Sequence, residues 1–357
     1  MKEMAQKMRA VRLFAPKDIR CVEVDVPQIE KDTQVLIKVK SCGVCGSDIP
    51  RVMVKGTYHF PTTIGHEFAG QIIACGDKVK NQLDVGDRVS VMPLIPCGEC
   101  QYCKVGQSHL CDTYDYYGSR RDGAMAEYIV VESENCLKLP SGVDYEEGSF
   151  TDPVSVGLHA VRKTKIEAGK SAAVFGLGAI GFITVQWLKS LGCTTVIAVD
   201  VSDDKLRLAK RLGATAGVNG KDLDAVKAIK ELTGGEGVDI AIEFAGSKYT
   251  HVQAVASCKK NGEVVYGGIT YDDVTFPNSV IASILRGELT IHGSWNSSIN
   301  PLPINEWKSA LEFIHTGQMN VDPLITHRVR LEDCKEVFDM MFNRTEVFTK
   351  VLFKPEM

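Results

Sequence analysis

Cys97, Cys100, Cys103 and Cys111 place four thiols in fifteen residues, in the run Cys97-Gly98-Glu99-Cys100-Gln101-Tyr102-Cys103 and just beyond it. Two Cys-x-x-Cys steps with a near fourth cysteine match a closed tetrahedral zinc site, where protein fills every position and no substrate can enter. Its expected role is structural, the metal holding a short irregular lobe that has little core of its own. A second set is dispersed: Cys45 in Cys42-Gly43-Val44-Cys45-Gly46-Ser47-Asp48, and His66 with Glu67 in Gly65-His66-Glu67. A thiolate, an imidazole and a carboxylate would supply three ligands and leave a fourth position for water or substrate, which is the catalytic arrangement. Taken singly, His66 reads as well as a satisfied core histidine, and Cys45 as a small buried hydrophobe. A third set, Gly176-Leu177-Gly178-Ala179-Ile180-Gly181, follows a strand and opens a helix, and the next strand ends in Asp200. That context makes the glycines a dinucleotide fingerprint. Phosphates would sit on the helix N-terminus. Asp200 would accept hydrogen bonds from the ribose hydroxyls and repel a 2′-phosphate, which favours NAD over NADP. The plainer alternative makes Asp200 an ordinary strand-end residue.

The elements that must position these groups fall into two textures. From Val11 to about Asp152 the chain is short β-type runs broken by turns, among them TQVLIKVKSCG, FAGQIIACGD, DRVSVMPL and AEYIVVE. The strand-like pattern begins only at Val11, with the first seven residues read as a loose extension. From Lys170 strand and helix alternate: SAAVF, the glycine-opened helix, TTVIAVD, a helix capped by Ser202 and stopped by Gly213, then VDIAIEF and EVVYGG around the helical THVQAVASCKK. Such alternation implies a parallel sheet. After about His292 two helical segments, INEWKSALEFIHTG and LEDCKEVFDMMFN, precede a closing strand, TKVLFK. A parallel-sheet domain is thus expected between two parts of a β-rich one.

A chain of 357 residues suits two domains. Its net charge of −4 gives no basis for binding nucleic acid or an acidic membrane surface. The opening MKEMAQKMRAVRLFAP carries charge and no apolar core of a leader, so the expectation is a cytoplasmic protein whose twelve cysteines are not a secreted disulfide framework. Residues 171–188 are eighteen uncharged positions, yet Gly176, Gly178 and Gly181 in them favour a strand feeding a buried helix over a membrane span.

GVCGSD around Cys45, GHE at His66 and Glu67, GDRV at Gly86 to Val89, CGECQYC, DPVSVGLHA and GLGAIG with Asp200 follow one another along essentially the whole chain. In this set the sequence resembles the zinc-dependent medium-chain alcohol and polyol dehydrogenases. The resemblance implies an α/β fold in which a doubly wound parallel-sheet (Rossmann) domain, 154–292, is inserted into a β-rich GroES-like catalytic domain, 1–153 and 293–357, with a structural zinc lobe at about 96–112. It implies Cys45 and His66 as catalytic zinc ligands, Glu67 beside them, and two zinc ions per chain with NAD. Asp152 stands where polyol dehydrogenases carry Glu, and is expected as a further ligand, directly or through a water. Ser47 would relay the proton of a secondary alcohol at the open zinc position as hydride passes to nicotinamide. Pro50 stands where relatives carry an onward histidine. Two or four copies of the chain are also implied.

Ser47-Asp48-Ile49-Pro50-Arg51, Tyr117-Gly118-Ser119-Arg120-Arg121-Asp122-Gly123 and Gly293-Ser294-Trp295 with Trp307 are similar to family members that oxidise galactitol 1-phosphate to tagatose 6-phosphate. Arg120 or Arg121 would hold the phosphate, since a guanidinium fork is planar and always charged. A solvated turn, or an ion pair with Asp115 or Asp122, explains the arginines equally. Trp295 is expected at the substrate. Two rival readings stay open. One is an L-threonine, free-polyol or diol dehydrogenase of the same family; the other is a nucleotide-binding protein without catalysis.

Overall fold

The computed structural model describes residues 6–300 and 303–357. The chain divides into two compact units: one runs to Asp152 and takes in Ile299–His315 and Val321–Met357, and the other is Pro153–Ser298 with Thr316–Asn320.

The first unit is built on a seven-stranded sheet whose central strand, Gln34–Gly43, is buried along most of its length. Glu67–Cys75 and Lys350–Phe353 pair antiparallel with its two edges, and both meet it at Gly43, in register with Glu67 on one side and Leu352 on the other. Val35, Ile37, Val39, Phe68, Val89, Val91, Phe338 and Phe353 belong to one apolar core that joins the early strands to the last helix and strand. The first strand starts earlier than the apolar pattern suggested: it is Lys7–Ala15, paired with Asp18–Asp25. Met8 and Ala10 are buried while Lys7 and Arg9 are not, so a period of two already runs ahead of Val11.

The second unit is a sheet of six strands, all parallel, with helices between them. The uncharged stretch 171–188 splits into the strand Ser171–Phe175 and most of the helix Ala179–Ser190, and among the described residues no helix is long and apolar enough to cross a membrane. Trp187 on that helix is buried and donates its indole N–H to the Val154 carbonyl at 2.9 Å. The return to the first unit comes later than 293. Thr290–Gly293 is the last strand of the parallel sheet, the Ser155 and Ser297 hydroxyls are 2.9 Å apart, and the Gln186 amide binds the backbone of Asn320 in both directions.

The turn from Phe175 into the helix depends on close packing at Gly181. A Cβ there would run into the carbonyl oxygen of Gly176, one turn earlier. Neither is a flexible side-chain end, so the backbone itself must shift. Gly181→Ala is therefore expected to destabilise the chain by about 1–3 kcal/mol, the usual cost of overpacking. Thermal unfolding of the full-length variant checks this, and a melting temperature equal to wild type would contradict it.

Candidate metal and nucleotide sites

The strand pairing builds the first site. Cys45 follows the end of the central strand, while Glu67 opens the neighbouring strand with His66 directly before it. Ligand atoms of Cys45, His66 and Glu67 all lie within 4.8 Å of one another, with the imidazole and the carboxylate buried. Asp48 underlies the group. Its Oδ2 accepts from the Cys45 backbone N–H at 3.1 Å, its Oδ1 binds Arg51, and Oδ1 stands 3.5 Å from His66 Nδ1. Burial works to raise the Asp48 carboxyl, but the His66 ring and Arg51 hold it at about 2. A carboxylate behind the imidazole is the usual means of orienting a metal-binding histidine. The Ser47 hydroxyl donates to Cys45 Sγ at 3.3 Å. Tyr116 packs edge-on to the His66 ring, centroids 5.5 Å apart.

The carboxylate grouped with the thiol and imidazole is Glu67, whereas Asp152 is not one of the three. Asp152 is buried at the start of the helix Thr151–Arg162, in an element separate from the loops that carry Cys45 and His66. Burial, with the charges of Glu67 and Asp48, pushes its carboxyl up to about 7.

Sequence reasoning missed Lys350. Its side chain is 3% exposed, and the ammonium forms an ion pair with Glu67 Oε2 and also donates to the Val44 carbonyl at 3.1 Å. The two side chains come from strands on opposite edges of Gln34–Gly43 and meet where that strand ends in glycine: a Cβ on Gly43 would lie 2.6 Å from Glu67 Oε2. Burial pulls the Lys350 pKa down, but the facing carboxylate outweighs it and the group stays charged. The available signal was a lone lysine leading an apolar strand, Lys350-Val351-Leu352-Phe353, every residue of which is buried.

In the lobe, Sγ atoms of Cys97, Cys100, Cys103 and Cys111 fall within 4.8 Å of one another. Backbone N–H groups of Glu99 and Cys100 point at Cys97 Sγ, at 3.5 and 3.3 Å, and hold its pKa down to about 6. Donors aimed at sulfur favour thiolate, the form that binds metal. All twelve cysteines are free of disulfides. Four thiols suit a closed zinc site, and thiol, imidazole and carboxylate suit an open one.

In the second unit the helix Ala179–Ser190 begins at Gly178 with no side-chain cap, and a Cβ at Gly178 would meet nothing within 4 Å. A helix start without a side-chain cap and with space beside Gly178 is the kind of terminus that anions bind. Asp200 ends the adjacent strand. Its Oδ2 accepts from Leu177 N at 2.7 Å, and its Oδ1 from Val201 N at 2.8 Å and Ser202 N at 3.1 Å, so it also braces the glycine turn.

Comparison with known proteins decides the family. Residues 31–141 match the alcohol dehydrogenase GroES-like domain, and residues 179–316 match the zinc-binding dehydrogenase family. Galactitol 1-phosphate 5-dehydrogenase of Escherichia coli is 36% identical over 88% of this chain and 90% of its own. The chain belongs to the zinc-dependent medium-chain alcohol and polyol dehydrogenases. The crystal structure of the E. coli galactitol-1-phosphate dehydrogenase matches with a TM-score of 0.92, covering 98% of this chain and all of the other. Sorbitol dehydrogenase of Bacillus subtilis is 32% identical over 98% of both chains. A zinc-binding dehydrogenase from Sinorhizobium meliloti, solved with NADP bound, is 33% identical with a TM-score of 0.90 over 98% of this chain and all of the other. This dehydrogenase is accordingly an oxidoreductase acting on CH–OH groups, with a Rossmann-type sheet and a separate β-rich GroES-like unit.

Arg121 is paired with Asp115, and Arg120 lies between tyrosine rings. Trp295 is half-exposed just after the strand Thr290–Gly293 in the second unit.

Removing one partner of a buried ion pair strands the other, at a typical cost of about 3–5 kcal/mol. Lys350→Met should destabilise the dehydrogenase by that much in urea unfolding, and adding Glu67→Gln should recover part of the loss. An undisturbed midpoint in Lys350→Met would show that the pair is not the brace the geometry makes it.

Proposed function

We propose that this dehydrogenase oxidises a polyol phosphate, galactitol 1-phosphate, to the corresponding ketose phosphate, tagatose 6-phosphate, with NAD as hydride acceptor. The observation that carries the chemistry is the clustering of Cys45, His66 and Glu67 within 4.8 Å, three candidate ligands where tetrahedral zinc takes four. Support for the substrate comes from the galactitol 1-phosphate enzyme matched over most of both chains. The sorbitol dehydrogenase matched end to end favours a second reading, oxidation of a free polyol.

Cys45, His66 and Glu67 would hold a catalytic zinc, with Asp152 close enough in charge to influence it, and Cys97, Cys100, Cys103 and Cys111 would hold a structural one. Zinc so held supplies Lewis acidity, which lowers the pKa of a hydroxyl brought to it. Ser47, beside the Cys45 sulfur, takes the hydroxyl proton and passes it to solvent water; Pro50 has no proton to relay further. Arg51 and Asp48 keep the His66 ring in place. Gly176, Gly178 and Gly181 admit the pyrophosphate to the helix N-terminus. Asp200, held by three backbone N–H bonds, stands where a 2′-phosphate would fall, which supports NAD over NADP. The dinucleotide held at Gly176, Gly178, Gly181 and Asp200 would supply the hydride acceptor, and the hydroxyl proton would leave through Ser47, with one NAD reduced for each ketose formed.

Reduction of NAD measured over phosphorylated and free hexitols, on protein of known zinc content, tests the reading. Galactitol 1-phosphate is expected to give the highest kcat/KM, and a free polyol exceeding it would transfer the assignment to the second reading. Ser47→Ala should lower kcat by roughly 10²-fold or more with zinc content unchanged, the usual range for a lost proton-transfer group. Full activity across pH would remove Ser47 from the relay.

A further inference from the structure

Two adjacent arginines look alike in the sequence and are used differently in the fold. Arg121 is committed to Asp115: its Nε donates to Oδ2 at 2.6 Å, and its Nη2 binds the same carboxylate. Among the described residues no carboxylate comes within ion-pair distance of Arg120. Its guanidinium is instead sandwiched, 4.3 Å from the centroid of the Tyr58 ring and 4.4 Å from that of Tyr114. One N–H, on Nη2, donates to the Tyr58 hydroxyl at 3.3 Å, while Nε is closed off from solvent and donates to no described atom.

With both faces stacked, the hydrogen-bonding capacity of Arg120 is confined to the plane of the fork, the plane in which a phosphate is bound bidentately. A guanidinium that stacks on aromatic rings and meets no carboxylate among the described residues keeps donors for an anion. Arg120 is also tied to the catalytic cluster. Its backbone N–H donates to the Tyr116 carbonyl at 3.0 Å; the Tyr114 ring packs on Tyr116 at 6.1 Å, and Tyr116 packs on His66 at 5.5 Å. A continuous series of ring contacts thus joins the imidazole to the guanidinium. Tyr58, the outer ring, is exposed, so the clamp opens to solvent on that side.

We propose that Arg120, clamped between Tyr58 and Tyr114, is the anion subsite of this enzyme and receives the phosphate monoester end of the substrate. The identity of that substrate rests on the polyol-phosphate reading; the existence of the subsite does not.

Two measurements on the holoenzyme separate them. In Arg120→Met the KM for galactitol 1-phosphate is expected to rise roughly 10- to 100-fold, the worth of one or two charged hydrogen bonds. Its kcat, and the KM for whichever free polyol the wild type oxidises, should stay unchanged. Arg121→Met, which loses the pair with Asp115 and the contact with the Tyr117 ring, should keep the wild-type ratio of the two KM values even if it melts earlier. Inorganic phosphate should inhibit the wild type competitively against the polyol and fail to inhibit Arg120→Met. A wild type indifferent to phosphorylation would overturn the substrate reading alone, because the inhibition by phosphate still decides the subsite. Inhibition that is absent in the wild type, or equal in Arg120→Met, overturns the subsite, as does an unchanged preference for the phosphorylated polyol in that variant.

Discussion

Burying charge is the constraint around which this dehydrogenase is organised. The Glu67 carboxylate and the Lys350 ammonium sit almost wholly out of water and meet across Gly43, the one position on the central strand where no side chain intervenes. Such a pair is tolerable only if the geometry is good and further hydrogen bonds complete it, as the Val44 carbonyl does for Lys350. Placing it fixes three strands in register, and with them His66 next to Glu67 and the loop that carries Cys45. Asp48 is paired with Arg51 and Glu67 with Lys350, so these buried charges are matched in pairs. What marks the group as a metal centre rather than only a brace for the sheet is that thiol, imidazole and carboxylate ligand atoms converge within 4.8 Å of one another.

The two cysteine-bearing clusters differ in what they leave open. The lobe offers four sulfurs and little else, with backbone N–H groups turned toward Cys97, a donor set that closes on itself. The Cys45 cluster has three ligands of three kinds, a hydroxyl at Ser47 against the sulfur, and aromatic rings from Tyr116 outward to Arg120. Stability is the natural role of the first and chemistry of the second. In the other unit, the uncapped helix start after Gly178 and the carboxylate of Asp200 supply the complementary surfaces for pyrophosphate and ribose.

What could be seen in the sequence was whatever is written locally. The glycine run, Asp200 at a strand end, the Ser202 cap and the cysteine spacing are each contained in a short stretch, and each lies where its local chemistry requires. Lys350 was not visible because its partner is 283 residues away and the pairing depends on strand order. Glu67 and Asp152 could not be ranked as ligands from residue type, since both are carboxylates and only the fold decides which one reaches the thiol. Arg120 and Arg121 were indistinguishable for the same reason, until Asp115 was seen to occupy one of them. The start of the first strand at Lys7 was legible in the alternation of Met8 and Ala10 with charged neighbours, and charge near the terminus concealed it.

X-ray absorption at the zinc edge, combined with metal analysis of the purified protein, tests most directly whether one cluster is closed and the other open. Two zinc ions per chain are expected, with an averaged shell of sulfur from the four-thiol lobe and mixed sulfur, nitrogen and oxygen from Cys45, His66 and Glu67. A single zinc in an all-sulfur shell would contradict this, leaving the buried charges of the first site to serve the fold alone.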